Sequence, residues 1–143
     1  MEESSTNNII AYLKSQSRNK IVFYRTDIPQ IKAVDIGKVL TRAIYNFKDE
    51  NKLSQKVTDE INKILNDSIT EHNTYGKILA IENIGILMEP ELKQDFVRIL
   101  ENFSINNVFF LKVTGEIDDN HIYFQTKEKG IKINIKHLSY ILL

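Results

Sequence analysis

Short apolar runs alternate with amphipathic helical patterns along this chain, and this alternation limits the folds that are open to it. Residues 21–24, 78–81 and 108–114 form runs that are mostly apolar and short enough to be buried strands. Other segments repeat apolar residues every three or four positions, which is the spacing of one helix face. Strands that alternate with helices predict an α/β fold built on a mainly parallel sheet.

The strongest helical pattern begins after Asp35, which has the side chain of a good N-cap. It predicts a helix over 36–47. A second helix is expected to start at Ser54 and to end near residues 71–73, and a third to open at Pro90 and run to Phe103. A weaker helix is predicted over 4–17, and residues 30–34 suggest a short second strand.

The C-terminal part of the chain predicts a β-hairpin. Residues 121–125 and 131–135 are strand-like, residues 127–130 suit the connecting loop, and residues 118–120 have turn chemistry. Residues 137–143 are too apolar for a free tail, so we expect them to dock on the sheet or on a partner. The prediction is therefore a single domain over 1–143, with a three-layer, mainly parallel sheet and a C-terminal hairpin.

Composition excludes several classes of protein. The chain has 19 basic and 19 acidic side chains, so it lacks the excess positive charge of a broad nucleic-acid surface. It contains no cysteine, which rules out disulfides and thiolate metal sites. No apolar run approaches the roughly 20 residues of a membrane span, and the acidic N-terminus is unlike a signal peptide. We therefore expect a cytoplasmic protein that does not enter membranes.

The run at 78–81 ends in Glu82 and Asn83, a pattern with two interpretations. An acid at the tip of a buried strand is the Walker B element of P-loop ATPases, but it is also an ordinary polar turn. The phosphate loop of such ATPases needs the pattern G-x-x-x-x-G-K-[ST]. None of the five glycines is followed by Lys-Ser or Lys-Thr. We therefore interpret Glu82 and Asn83 as the remnant of a Walker B element and expect no bound ATP or magnesium.

Two further residues are candidates on weaker grounds. Thr114 ends the last apolar run before a glycine, where AAA-type ATPases place a residue that senses the γ-phosphate, although a strand-ending turn is the favoured explanation. Arg98 could act as an arginine finger in an assembly or simply lie on a solvated helix face. His72, His121 and His137 lack metal-binding spacing, so we predict no metal site. No residue is assigned a catalytic role.

The segment from residue 78 to residue 125, "ILAIENIGILMEPELKQDFVRILENFSINNVFFLKVTGEIDDNHIYFQ", resembles the BrxF family of type 3 BREX (bacteriophage exclusion) systems. With "VDIGKVLTRAI", which is similar to the family's second strand and following helix, the resemblance covers residues 31–125. The shared elements are a strand–acid–Asn–Ile step at 82–84, an acidic-Pro-acidic-Leu sequence at 89–92 that leads into a helix, and a Ser-x-Asn helix end at 104–106. An apolar strand at 108–113 and a glycine at 115 follow.

The resemblance implies a fold of P-loop NTPase or AAA-like type that is degenerate, because the Walker A loop is absent and Glu82 stands where Asp is usual. It implies a non-catalytic interaction subunit of a bacterial anti-phage system, whose partners are other proteins of the defence complex, with homo-oligomers left open. The alternatives are a weak NTPase or nuclease subunit completed by a partner, or a nucleic-acid adaptor. The adaptor would use a local lysine patch, made of Lys127, Lys129, Lys132 and Lys136.

Overall fold

The structure, a computed structural model, describes residues 2–45, 53–123 and 132–143. Within these ranges four α-helices and eight strands alternate along the chain. The helices are α1 (Glu2–Lys14), α2 (Ile36–Ile44), α3 (Leu53–Ser68) and α4 (Phe96–Phe103). The strands are β1 (Ile21–Tyr24), β2 (Val34–Asp35), β3 (Thr70–His72), β4 (Gly76–Glu82), β5 (Val108–Lys112), β6 (His121–Tyr123), β7 (Lys132–Asn134) and β8 (Tyr140–Leu142).

The main sheet has the strand order β2-β4-β5-β1-β8, and all of these strands are parallel. β3 adds an antiparallel pairing to the start of β4, on the edge that β2 occupies further along. The predicted α/β fold with a mainly parallel sheet is therefore confirmed. β6 and β7 pair as the predicted C-terminal hairpin. The apolar end of the chain docks on the sheet, because β8 pairs in parallel with β1.

The two faces of the sheet are covered differently. The connections that leave β2, β4 and β5 each lead to a strand nearer the β8 edge of the sheet. The connection from β1 to β2 leads in the opposite direction, to the other edge. Parallel crossovers are right-handed, so the returning connection must pass over the opposite face. Accordingly, helices α2, α3 and α4 and the hairpin pack on one face, called here the α2 face. Residues 25–33 and α1 cover the other, called here the α1 face.

Each face has its own apolar core. The alternation of strand residues sends Phe23, Ile81 and Leu111 to the α2 face, and Val22, Ala80 and Phe110 to the α1 face. Central strands buried on both faces account for the nearly continuous apolar runs in the sequence. Two helices of the α2 face begin at N-caps: for α2, Asp35 accepts from the Lys38 amide at 2.9 Å, and for α4, Asp95 accepts from the Arg98 amide at 3.2 Å.

Several element boundaries differ from the prediction, among them both ends of the first helix, which was predicted over 4–17 and is observed as Glu2–Lys14. The helix expected to open at Pro90 begins only at Phe96, because Pro90–Leu92 forms a separate 3-10 turn and Lys93 adopts a left-handed conformation with φ 50°. The predicted strand at 30–34 is reduced to Val34–Asp35. The helix that begins near Ser54 stops at Ser68, and β3 follows where a helix end was expected. The predicted end of α2 at Phe47 and the hairpin loop at 127–130 lie outside the described residues.

Within the described ranges, no helix combines the length and the apolar character that crossing a membrane requires.

Candidate functional site

The register of the sheet brings polar side chains into one row at the carboxyl ends of the strands. Asp35 pairs with Glu82 across β2 and β4, and Tyr24 pairs with Lys112 across β1 and β5. Ile81 pairs with Leu111, so Glu82 and Lys112 are the next residues along these neighbouring strands. Open α/β sheets bind their ligands at this edge, which makes the row the first candidate for a functional site.

Three members of the row share the α1 face. Ala80 and Phe110 belong to the α1-face core, and strand alternation puts Glu82 and Lys112, two residues later, on the same side as Tyr24. Lys112 forms an ion pair with Asp27, which follows β1, with 2.7 Å between Nζ and Oδ1. The hydrogen bond with Asp27 raises the pKa of Lys112, and the charges of Asp27 and Glu82 act in the same direction. Lys112 is therefore a cation near neutral pH.

Tyr24 is the most buried member of the row. Its burial raises the pKa of the phenol to about 12, and the nearby negative charges of Glu82 and Asp27 contribute to the shift. The side chain packs edge-on against Phe110, with 6.4 Å between ring centroids. Tyr24 is therefore a neutral hydroxyl group near neutral pH.

The connection from β1 to β2, residues 25–33, lacks the features of a phosphate loop. Residues 25–33 contain no glycine and form no helix. Side chains fix this segment: Arg25 donates to the carbonyl oxygen of Gly115, Asp27 pairs with Lys112, and Ile28 and Ile31 pack into the α1-face core. A phosphate cradle depends on converging backbone N–H groups in a glycine-rich loop, and this segment is built differently.

Asn83 and Glu82 have different roles, although they are adjacent in the sequence. Asn83 adopts a left-handed conformation with φ 59° and donates from Nδ2 to Oδ1 of Asp35 at 2.8 Å. Asp35 also caps α2, and its hydrogen bonds with the Lys38 amide and with Asn83 lower the pKa of its carboxyl. Asn83 is thus part of the framework at this edge. Across the described part of the chain, the Glu82 carboxylate has no hydrogen bond or ion pair.

The other predicted site residues lie apart from this framework. Thr114 is exposed just after β5, near the end of the row. Arg98 is exposed on the first turn of α4, where its backbone N–H is bound by the N-cap Asp95. Lys132 and Lys136 of the lysine patch are exposed, whereas Lys127 and Lys129 lie outside the described residues. The arginine finger, the sensor position and the nucleic-acid adaptor therefore stay predictions.

Sequence reasoning missed the residues that complete the row. The sequence pattern marks Lys112 only as part of the apolar run 108–114, and it gives Asp27 no functional role. The available signal was positional: a lysine at the carboxyl end of an apolar strand belongs to the same edge as an acid at the end of the neighbouring strand. What the sequence did not supply was which strands are neighbours.

A metal site is not evident where the structure describes the chain, since no three His, Asp or Glu side chains come together there. His72 instead binds locally, accepting at Nδ1 from the Thr74 amide at 3.0 Å and stacking on Tyr75 with 4.7 Å between ring centroids. His121 lies beside Asp118, with 3.8 Å between Nδ1 and Oδ1.

The fold and the row define an α/β protein with a polar edge on a parallel sheet. Comparison of the chain with models of protein families, with curated proteins and with solved structures finds no match.

Proposed function

We propose that the chain is a degenerate P-loop-like domain of AAA-like type that acts without catalysis, as an interaction subunit of a bacterial anti-phage system of the BREX kind. The observation that carries the proposal is the combination of an ATPase-like strand order with a β1–β2 connection that lacks a phosphate loop. The resemblance to the BrxF family supplies the biological setting.

The strand order supports the proposal that the domain is P-loop-like and of AAA-like type. Numbered by their place along the chain among the parallel strands, the strands read 5-1-4-3-2 across the sheet. This order agrees with the core sheet of AAA-type P-loop ATPases. It differs from the orders of the dinucleotide-binding and flavodoxin-like folds. In this numbering Glu82 ends the third strand, the position of a Walker B acid, and Thr114 follows the fourth, the position of the sensor.

The packing on the α1 face supports the proposal that the P-loop-like domain is degenerate. In this strand order, the helix that follows the phosphate loop would lie on the α1 face, because it belongs to the returning β1–β2 crossover. Here α1, which precedes β1, packs on that face through Ile9, whose side chain is fully buried. Lys112 and Asp27 form their ion pair at the strand ends where phosphates would bind. The fold is thus stabilised without a nucleotide.

An open sheet edge supports a role in protein–protein contacts. β8 is the last strand of the main sheet and, within the described ranges, only β1 pairs with it. Its Leu142 is 47% exposed. Unpaired strand edges bind partner strands through backbone hydrogen bonds, with side-chain contacts adding specificity. A defence-complex partner could therefore add a strand at β8.

Calorimetric titration with ATP, in the presence and absence of magnesium, tests the loss of nucleotide function. We expect no magnesium-dependent binding, because residues 25–33 form no phosphate cradle and the described residues gather no ligand set for the metal. Magnesium-dependent ATP binding in the micromolar range would overturn the proposal. Co-expression with the proteins encoded by neighbouring genes tests the interaction role, and Leu142→Lys should weaken the complex that forms.

A second candidate is a weak NTPase or nuclease that a partner completes. The observation that favours it is the Glu82 carboxylate, which has no side-chain partner within the described residues although it lies at the ligand-binding edge. Under this hypothesis Glu82→Gln abolishes activity in the assembled complex. Under the leading proposal the same variant assembles normally and leaves the activity of the complex unchanged.

A further inference from the structure

A cleft with a volume of about 600 Å³ opens on the α1 face. It lies between the first turns of α1, the β1–β2 connection and the turn that joins β3 to β4. Residues that line it include Thr6, Tyr24, Arg25, His72 and Tyr75. Small-molecule sites are commonly clefts of roughly this size, in which aromatic side chains surround a few placed polar groups. We call it the α1 cleft.

Aromatic rings form a continuous series beside the α1 cleft. His72 stacks on Tyr75, with 4.7 Å between ring centroids and an angle of 21° between the ring planes. Tyr75 tilts against Phe110 at 5.6 Å, and Phe110 meets the edge of Tyr24 at 6.4 Å. Rings held in this way offer a flat, rigid contact surface for a planar ligand at little cost in side-chain entropy.

The Tyr24 hydroxyl is a second, independent sign of a ligand. Tyr24 is 2% exposed, yet its hydroxyl has no hydrogen-bond partner in the described ranges. No completely buried side-chain polar atom lacks a partner there, so this hydroxyl must keep access to the cleft that Tyr24 lines. A hydroxyl group at the wall of a cleft is available to a hydrogen-bond acceptor on a bound molecule. Its high pKa keeps the proton in place.

The charged side chains that line the α1 cleft balance, so the cleft has no excess positive charge that would select an anionic ligand. Arg25 donates to the Gly115 carbonyl and keeps its positive charge, and the Asp27 carboxylate beside it supplies a negative one. His72 is held at the cleft by the Thr74 amide, which donates to its Nδ1 at 3.0 Å. Described lining residues therefore offer neutral donors and acceptors, such as the hydroxyl groups of Thr6 and Thr26, and no glycine-rich cradle for phosphate.

We propose that the α1 cleft binds a neutral, planar heteroaromatic compound of the nucleoside type, which packs against the His72–Tyr75 pair and accepts a hydrogen bond from the Tyr24 hydroxyl. This inference goes beyond the proposed function and does not depend on it, because it concerns a neutral ring rather than a magnesium-bound triphosphate. Nucleobases suit such a site, since every base has a flat face for stacking and an edge with donors and acceptors.

Titration of the full ¹⁵N-labelled chain by NMR tests this proposal, with adenosine, guanosine, cytidine and uridine as separate probes and inorganic phosphate as the anionic probe. We expect saturable shifts for at least one nucleoside, centred on residues 24–30 and 72–75, with equal affinity in the presence and absence of magnesium. Phosphate should neither shift these amides nor displace the nucleoside.

Two variants and a matched control localise the binding. Tyr24→Phe should raise Kd about fivefold, the effect of one lost hydrogen bond. Tyr75→Leu should raise Kd at least about fivefold, because stacking is lost. Tyr140→Phe is the control: it removes a hydroxyl that binds the Asp119 carbonyl on the α2 face, and it should leave Kd unchanged.

Three results would overturn the proposal: no saturable shift with any of the four nucleosides, an unchanged Kd in Tyr24→Phe, or displacement of the nucleoside by phosphate. Thermal melting of each variant checks that it is folded. If Tyr75→Leu does not fold, Tyr24→Phe, which keeps the packed ring, decides the question together with the map of shifted amides.

Discussion

The side-chain amide of Asn83 donates a hydrogen bond to the carboxylate of Asp35, with 2.8 Å between Nδ2 and Oδ1. The bond joins the residue after β4 to the N-cap of α2, so it ties a central strand to the helix that follows the edge strand β2. Gly37 completes the arrangement, because a β-carbon at that position would lie 2.5 Å from Asn83 Nδ2. The polar edge of the sheet thus has a rigid framework independent of any ligand.

Replacing Asn83 by alanine should destabilise the protein more than replacing it by glycine. Both changes remove the bond to Asp35, but only alanine must also adopt the left-handed backbone conformation with φ 59°, which costs a residue with a β-carbon roughly 1 kcal/mol. Urea unfolding followed by circular dichroism measures the two free energies. An Asn83→Ala variant as stable as Asn83→Gly would show that the left-handed conformation relaxes at no cost.

Gly37→Ala should lower the free energy of unfolding by about 1–3 kcal/mol, the usual cost of overpacking. The new methyl group would lie 2.8 Å from the backbone oxygen of Asn83, which cannot move aside like a flexible side chain. Gly85→Ala is the matched control, since a β-carbon there meets no atom within 4 Å and its φ is not in the left-handed range. Equal stabilities of the two variants would contradict the close packing of Gly37 against Asn83.

The sequence predicted which residues lie at this edge of the sheet better than it predicted the contacts between them. Asp35 was expected to be an N-cap, and it accepts the Lys38 amide as such a residue should. Glu82 and Asn83 were expected at a strand end, and they lie there. These predictions succeed because capping and strand length are local properties that follow from neighbouring residues.

The contacts across the sheet could not be predicted, because they depend on strand order. Asp35 and Asn83 meet only because β2 lies beside β4, and Lys112 meets Asp27 only because β5 lies beside β1. The missed strand β3 has a similar cause, since Thr70–His72 is stabilised by pairing with the start of β4 rather than by its own sequence. The His72–Tyr75 side of the α1 cleft was therefore missed as well.

Docking of α1 should depend on one isoleucine of an adjacent pair. Ile9 is fully buried in the α1-face core, whereas Ile10, one position on, is only partly buried. Ile9→Ala should lower the free energy of unfolding by about 2–5 kcal/mol through lost burial and the cavity left behind. Ile10→Ala makes the same chemical change in the same helix and should cost clearly less. Urea unfolding of both variants measures the difference, and equal losses would mean that α1 does not pack as described.

Acid stability should depend on Asp118, in the turn that precedes β6. A hydrogen bond from the Tyr123 hydroxyl, at 2.6 Å from Oδ2, is the largest of the interactions that lower the pKa of this carboxyl to about 2. The amides of Asn120 and His121 also donate to it. An unfolded Asp titrates near 3.9, so the depressed pKa stabilises the folded state above about pH 4. That contribution is lost as the pH falls from about 4 to about 2.

Asp118→Asn keeps an acceptor oxygen for the two amides but removes the titration. The stability of the wild-type chain should therefore fall more steeply than that of the variant between about pH 4 and about pH 2, because the unfolded state binds a proton that the folded state resists. Urea unfolding at a series of pH values gives both slopes. Asp119→Asn is the matched control, since it makes the same chemical change at the adjacent residue and keeps the Asp118 carboxylate with its hydrogen bonds. The control should show a steeper slope than Asp118→Asn, and an Asp118→Asn slope equal to the wild-type one would show that the turn does not hold the carboxylate in its ionised form.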